Sequence, residues 1–175
     1  MGIKICKLEN ECTKYVEMIN YVNSVDFFKK HSDELNHYTR EYYMLYGKDY
    51  DFTNDHRNNI RWMHFIHKLY PTLYSKQELP PIDDFKEAVI KQSKLCETFI
   101  HYFTEANDKI ILTKEKYDSY LDNYMEFLEY HKNNKHTTMK MTPNLQFMLN
   151  AHMSNHKQYV KDCQNNFGYI LEHDI

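Results

Sequence analysis

Glycine and proline are nearly missing from this chain: 175 residues hold 3 Gly and 4 Pro. So few chain-breakers exclude a loop-rich or turn-punctuated architecture and favour long helices with short connections. Gly2, Gly47 and Gly168 lie far apart, which removes any glycine-rich phosphate loop, and no serine sits in a nucleophile elbow. No apolar run approaches the roughly 18 residues that a membrane helix needs. The opening MGIKICKLENEC lacks the apolar core of a secretory signal. Cysteine is sparse and scattered at Cys6, Cys12, Cys96 and Cys163, so the expectation is free thiols in a reducing, cytoplasmic setting. Basic charge is short as well. With 22 Lys and Arg against 25 Asp and Glu, the net charge of -3 offers no nucleic-acid footprint.

What is present is aromatic and amphipathic. Sixteen Tyr, 10 Phe and 9 Met accompany 42% hydrophobic and 27% charged residues, the balance of a globular chain with a real core. Abundant Asn, Lys, Ile and Tyr beside scarce Gly, Ala, Arg and Pro indicate an AT-rich genome. Apolar spacing predicts a first helix over 9–23 and a second capped by Ser24 and running to about Leu45. A third starts at Thr53 or Asn54 and closes at Pro71. A fourth follows Pro80-Pro81 with the face Phe85, Val89, Cys96, Phe99, Phe103. The fifth opens at Thr113 and carries Tyr117, Tyr120, Leu121, Tyr124, Met125 and Leu128. Thr142-Pro143 reads as N-cap and first-turn proline of a sixth, and a seventh runs from His156 to Phe167 and stops at Gly168. The β-leaning run is Lys109 to Leu112. The fold expected is all-α, a single helical domain over 1–175 with six to seven helices.

The last 34 residues, Thr142 to Ile175, place His152, Tyr159, Asp162, Cys163, Phe167, Gly168, Leu171 and His173 at fixed offsets. Together with Tyr124-Met-Glu-Phe127-Leu128 upstream, they resemble the motif of the glycine-rich-domain-containing-protein-like family. Its members typically read P-x-x-x-(V/I)-D-x-x-W-H-x-H, then Y-x-x-D-C, then F-G-x-x-L-x-H. The resemblance covers roughly 120–175. Met141, Gln146, Leu149 and Asn150 depart from it at the proline, the acid, the tryptophan and the first histidine. That family's activity is poorly defined, so the resemblance implies an architecture more than a reaction.

Two readings of these residues stand side by side. An imidazole, a thiolate and a carboxylate suit a borderline metal such as zinc or iron, which makes His152, Cys163 and His173 candidate ligands. Asp162 is a possible fourth ligand, and with Tyr159 a group that orients the ligands or handles protons. Under the packing reading, His152 is a core histidine donating to a carbonyl and Tyr159 and Cys163 are core residues. Asp162 is then a helix-surface acid, and Gly168 a left-handed cap. The departures from the motif favour packing.

His67 and Tyr74 repeat the seven-residue interval of His152 and Tyr159, a possible second copy of the motif. His64 and His67, three apart, are candidate helical metal ligands. Trp62, His67 and Tyr70-Pro71 are similar in order to flavin-linked sulfhydryl oxidases, but Cys96-Glu-Thr-Phe99 lacks the second thiol and excludes that activity. Tyr38, Tyr42 and Tyr46 share a helix face and suit either an interface or a semi-buried packing role. Gly2 offers a weak myristoylation start without the usual hydroxyl residue at position 6. The functional expectation is a non-catalytic interaction or assembly protein with a protein partner or self-association, no cofactor, no nucleic acid and no membrane. The alternative is a metal-dependent enzyme holding one zinc or iron ion at His152, Cys163 and His173.

Overall fold

The computed structural model describes residues 2–24, 32–74, 79–103, 109–134 and 141–171. Among them the chain is all-α, with seven helices, one 3-10 turn and no strand. The helices are α1 (Glu9–Ser24), α2 (Ser32–Tyr46), α3 (Asn58–Tyr74), α4 (Ile82–Phe103), α5 (Lys114–Asn133), α6 (Pro143–Met153) and α7 (His156–Phe167). None is long and apolar enough to cross a membrane. Backbone packing divides the chain into two compact units, Val16–Ile110 on one side and Met1–Tyr15 with Ile111–Ile175 on the other.

In the Val16–Ile110 unit, α2, α3 and α4 pack around Tyr42, which is fully buried. Its ring lies 4.7 Å from Phe52 and 5.6 Å from Phe85, distances at which aromatic rings attract beyond simple area burial. Ile60, Trp62, Met63, Ile66 and Leu69 supply the buried face of α3, and Phe85, Val89, Cys96 and Phe99 that of α4. Phe103, expected on the same stripe, is only half-buried because it closes the last turn. Asn20 on α1 clamps the end of the unit by exchanging two hydrogen bonds with the Ile110 backbone, at 3.0 and 2.8 Å. This side-chain clamp stands where the sequence leaned toward a strand at Lys109–Leu112.

Two boundaries differ from expectation. Phe52–Asn54 forms a 3-10 turn, because the Asp51 carboxylate takes the Thr53 N–H at 3.0 Å and tightens the chain there; α3 starts only at Asn58. Pro71 does not close α3 but lies inside it, in its final turn, where the proline gives up one backbone hydrogen bond while the buried Leu69 and Tyr70 hold the helix. Ser24 is the last residue of α1 and α2 is described from Ser32; the expected start of the second helix after Ser24 falls on residues 25–31, outside the described residues.

The other unit is built around α6. All residues from Phe147 to Met153, and Leu145, are buried, the polar Asn150 and His152 among them, so this helix is enclosed on every side. Helices α5 and α7 pack on it, and Tyr15 stacks on Phe147 with centroids 5.4 Å apart. The 3–8 segment is held by Leu8, fully buried, and by Lys4, whose backbone exchanges bonds of 3.0 and 2.7 Å with Asn166 of α7. Thr113 caps α5 by accepting from the Lys116 N–H at 3.2 Å. Thr142 makes no such side-chain cap for α6; its hydroxyl bonds Asn144 instead, and Pro143 opens the first turn. Helix α7 ends at Gly168, whose φ of 77° is the left-handed region that favours glycine.

Candidate functional site

The chemistry-bearing residues of the C-terminal motif meet where α5, α6, α7 and the N-terminal segment converge. His152, next to the end of α6, is 1% exposed and uses both ring nitrogens. Nδ1 lies 2.8 Å from the Tyr124 hydroxyl of α5, and Nε2 lies 2.8 Å from Asp162 Oδ2 of α7. Asp162 also accepts the Cys6 backbone N–H at 3.2 Å on Oδ2 and the Gln158 amide at 2.8 Å on Oδ1. Gln158 and Asp162 meet because four residues on a helix bring two side chains to one face. Tyr159 packs edge-on against the imidazole with centroids 4.9 Å apart. The result is a buried Tyr–His–Asp–Gln chain, closed at one end by the backbone of Cys6.

Electrostatics follow from this enclosure. Burial works to raise the Asp162 carboxyl, yet the hydrogen bonds from His152, the Cys6 N–H and Gln158 hold it below the ordinary carboxylate value. Burial, and then the facing Asp162 carboxylate, push the Cys6 thiol up to about 12. Burial raises Tyr124 well above the usual phenol value, and the neighbouring Tyr159 adds to it. Burial also raises the Cys163 thiol, against opposing bonds from the Leu171 backbone and Tyr159. No thiol here is poised as a nucleophile at neutral pH.

Of the expected ligands, His152 and Cys163 fall among the described residues. Among the described residues, Cys6, His152 and Asp162 form the group of three potential metal donors, with ligand atoms within 4.8 Å of one another. Cys163, at 1% exposure, sits outside that group with its sulfur beside the Tyr159 hydroxyl. His173 lies outside the described residues. Asp162 is not a surface acid; it is 5% exposed and joins four partners through its side chain and backbone. His152 bonds a phenol and a carboxylate, where a backbone carbonyl was expected. All four cysteines are free thiols.

Sequence reasoning missed Cys6, Tyr124 and Gln158 as members of this site. Cys6 stands 156 residues from Asp162, and no local spacing signals such a contact. Tyr124 was visible as an apolar-face residue, and its hydroxyl became a partner only when α5 packed on α6. Gln158, four before Asp162, was within reach of a helical-face argument.

The possible second copy of the motif shows the same local pairing. In the Val16–Ile110 unit, His67 Nδ1 lies 2.7 Å from the hydroxyl of Tyr42, on the helix before it, and His64 Nδ1 lies 3.3 Å from that hydroxyl. Tyr42, on the helix face shared with Tyr38 and Tyr46, is a core residue, while Tyr46 is 42% exposed. Tyr74 ends α3, and its side chain lies outside the described residues. Comparison of the chain with protein-family models, curated proteins and solved structures gives no match.

Proposed function

We propose that this chain is a non-catalytic helical interaction or assembly protein of the glycine-rich-domain-protein-like kind, in which the C-terminal motif serves architecture. One observation carries the reading: both ring nitrogens of His152 and both oxygens of Asp162 are engaged inside the fold. A general base or nucleophile needs a lone pair facing substrate. Here those lone pairs hold Tyr124, Gln158 and the N-terminal segment in place. The raised thiols of Cys6, Cys12 and Cys163 support the same view, since thiolate chemistry has no ready donor.

Exposed apolar side chains supply contact area. Met44 and Tyr46 end α2, and Tyr102 lies near the end of α4, in one unit; Ile111, Tyr130 and Ile170 are exposed in the other. Tyrosine at such positions buries much area for little loss of rotamer freedom. Sedimentation velocity over a wide concentration range, with Met44→Glu and Ile111→Glu as surface variants, tests the reading. The expected result is association that at least one variant weakens while melting temperatures stay unchanged. A chain that remains monomeric and turns over a substrate at a His152-dependent rate would sink it.

A further inference from the structure

We propose that Cys6, His152 and Asp162 form a binding site for one zinc-class divalent transition-metal ion, which staples the N-terminal segment to α6 and α7. The three residues offer one sulfur, one imidazole nitrogen and one carboxylate oxygen, all within 4.8 Å of one another. They come from three separate segments, so the convergence is a product of the fold and not of sequence proximity. Sulfur, nitrogen and oxygen donors in this mix suit zinc and its spectroscopic stand-in cobalt better than calcium or magnesium, which take oxygen alone.

The surroundings are those a metal site needs. A ligating histidine commonly gives its other nitrogen to a fixed partner, and His152 Nδ1 faces the Tyr124 hydroxyl at 2.8 Å. A ligating carboxylate is itself oriented by a hydrogen bond, and Gln158 holds Asp162 Oδ1 at 2.8 Å. His152 and Asp162 are buried, whereas Cys6 is only partly so. Donor atoms around a tetrahedral ion with bonds of about 2.0–2.3 Å sit roughly 3.2–3.8 Å apart. The 2.8 Å contact between His152 Nε2 and Asp162 Oδ2 must therefore open slightly, and the ion replaces the proton that bridges them.

Proton balance is straightforward. The Cys6 thiol gives its proton to solvent as the sulfur ligates, since a coordinating thiol is held deprotonated by the ion. The ring proton that bridges Nε2 and Asp162 moves to Nδ1, the Tyr124 hydroxyl turns so that its oxygen accepts it, and neutral His152 presents the Nε2 lone pair to the metal.

The experiment uses the full chain, stripped with chelator and titrated with Co²⁺, reading the thiolate-to-cobalt absorption in the near ultraviolet and the bound metal by elemental analysis. One equivalent with a thiolate band is expected. Cys6→Ala, at a partly exposed position, should abolish the band and weaken binding by about 100-fold, and Gln158→Ala should weaken it by about 10-fold with the band retained. Cys163→Ala should leave both unchanged. His152→Ala does not serve as the sole variant, because it strips Tyr124 and Asp162 of a buried hydrogen-bond partner and so perturbs the fold itself. Absence of a saturable site would overturn the proposal. So would a band that survives in Cys6→Ala, or one that disappears in Cys163→Ala.

Discussion

His152 illustrates how one residue type acquires its role from its neighbours. On the helix alone it is one more side chain on an apolar face; in the fold it links Tyr124 to Asp162 at 2.8 Å on each side. Removing the hydroxyl alone, in Tyr124→Phe, keeps the ring packing and leaves His152 Nδ1 without that partner. The expected cost is about 1–3 kcal/mol, the penalty for a buried polar atom stripped of its bond, seen as a lower denaturant midpoint with an unchanged slope. Tyr42→Phe should behave alike, since two histidines face that hydroxyl. No loss in either variant would mean that these bonds contribute nothing net. The chain of donors at His152 was only half legible in the sequence. Residue types named His152, Asp162 and Tyr159, but the identity of the thiol that joins them depended on where the N-terminal segment lies. Chemistry at Cys163 and at Cys6 looks the same in one dimension.

Among the elements, α7 was the most readable. Its apolar interval, its start at His156 and its stop at Gly168 are all local signals, and they hold because a cap needs only its own few residues. Gly168→Ala places a β-carbon on backbone at φ 77° and is expected to cost about 1 kcal/mol, measured as a modest fall in melting temperature. An unchanged melting temperature would show that α7 frays there without consequence. Helix α3 was less readable. Pro71 was expected to end it, yet a proline in a final turn gives up one backbone bond while the packing of Leu69 and Tyr70 continues to hold the helix. The start of α3 was displaced because Asp51 captures the Thr53 N–H, a side-chain competition that apolar periodicity does not register.

At the scale of the molecule, pH reports on the buried ionisable groups of both units. Burial, with smaller contributions from Lys68 and His67 and an opposing one from Asp51, lowers His64 from 6.5 to about 4. Burial lowers His131 and His156 in the same direction. Between those two pH values the unfolded chain takes up protons that the native chain refuses, so stability falls as pH drops from about 6.5 toward about 4. Below that, Asp162 adds to the loss. Its carboxyl is held under the ordinary value in the fold, so its contribution is present above the unfolded value of 3.8 and disappears as the native carboxylate protonates. Urea midpoints measured from neutral pH to pH 4 should decline throughout, and His64→Gln should flatten the upper part of the curve. A flat wild-type profile over that range would contradict the burial of these histidines.

What the sequence determined by itself was the class of fold: helical spacing, scarce glycine and proline, and caps at Thr113, Pro143 and Gly168 are properties of short windows. Those windows suffice because helix hydrogen bonds close within four residues. What only the tertiary structure decided was which side chains share a space. Cys6 meeting Asp162, Tyr124 meeting His152, and Tyr42 turning inward to His67 are contacts between distant segments. They arise when α6, buried on every side, is enclosed and when Tyr42 packs against Phe52 and Phe85. Burial then sets the protonation of each group, and no local pattern carries that information.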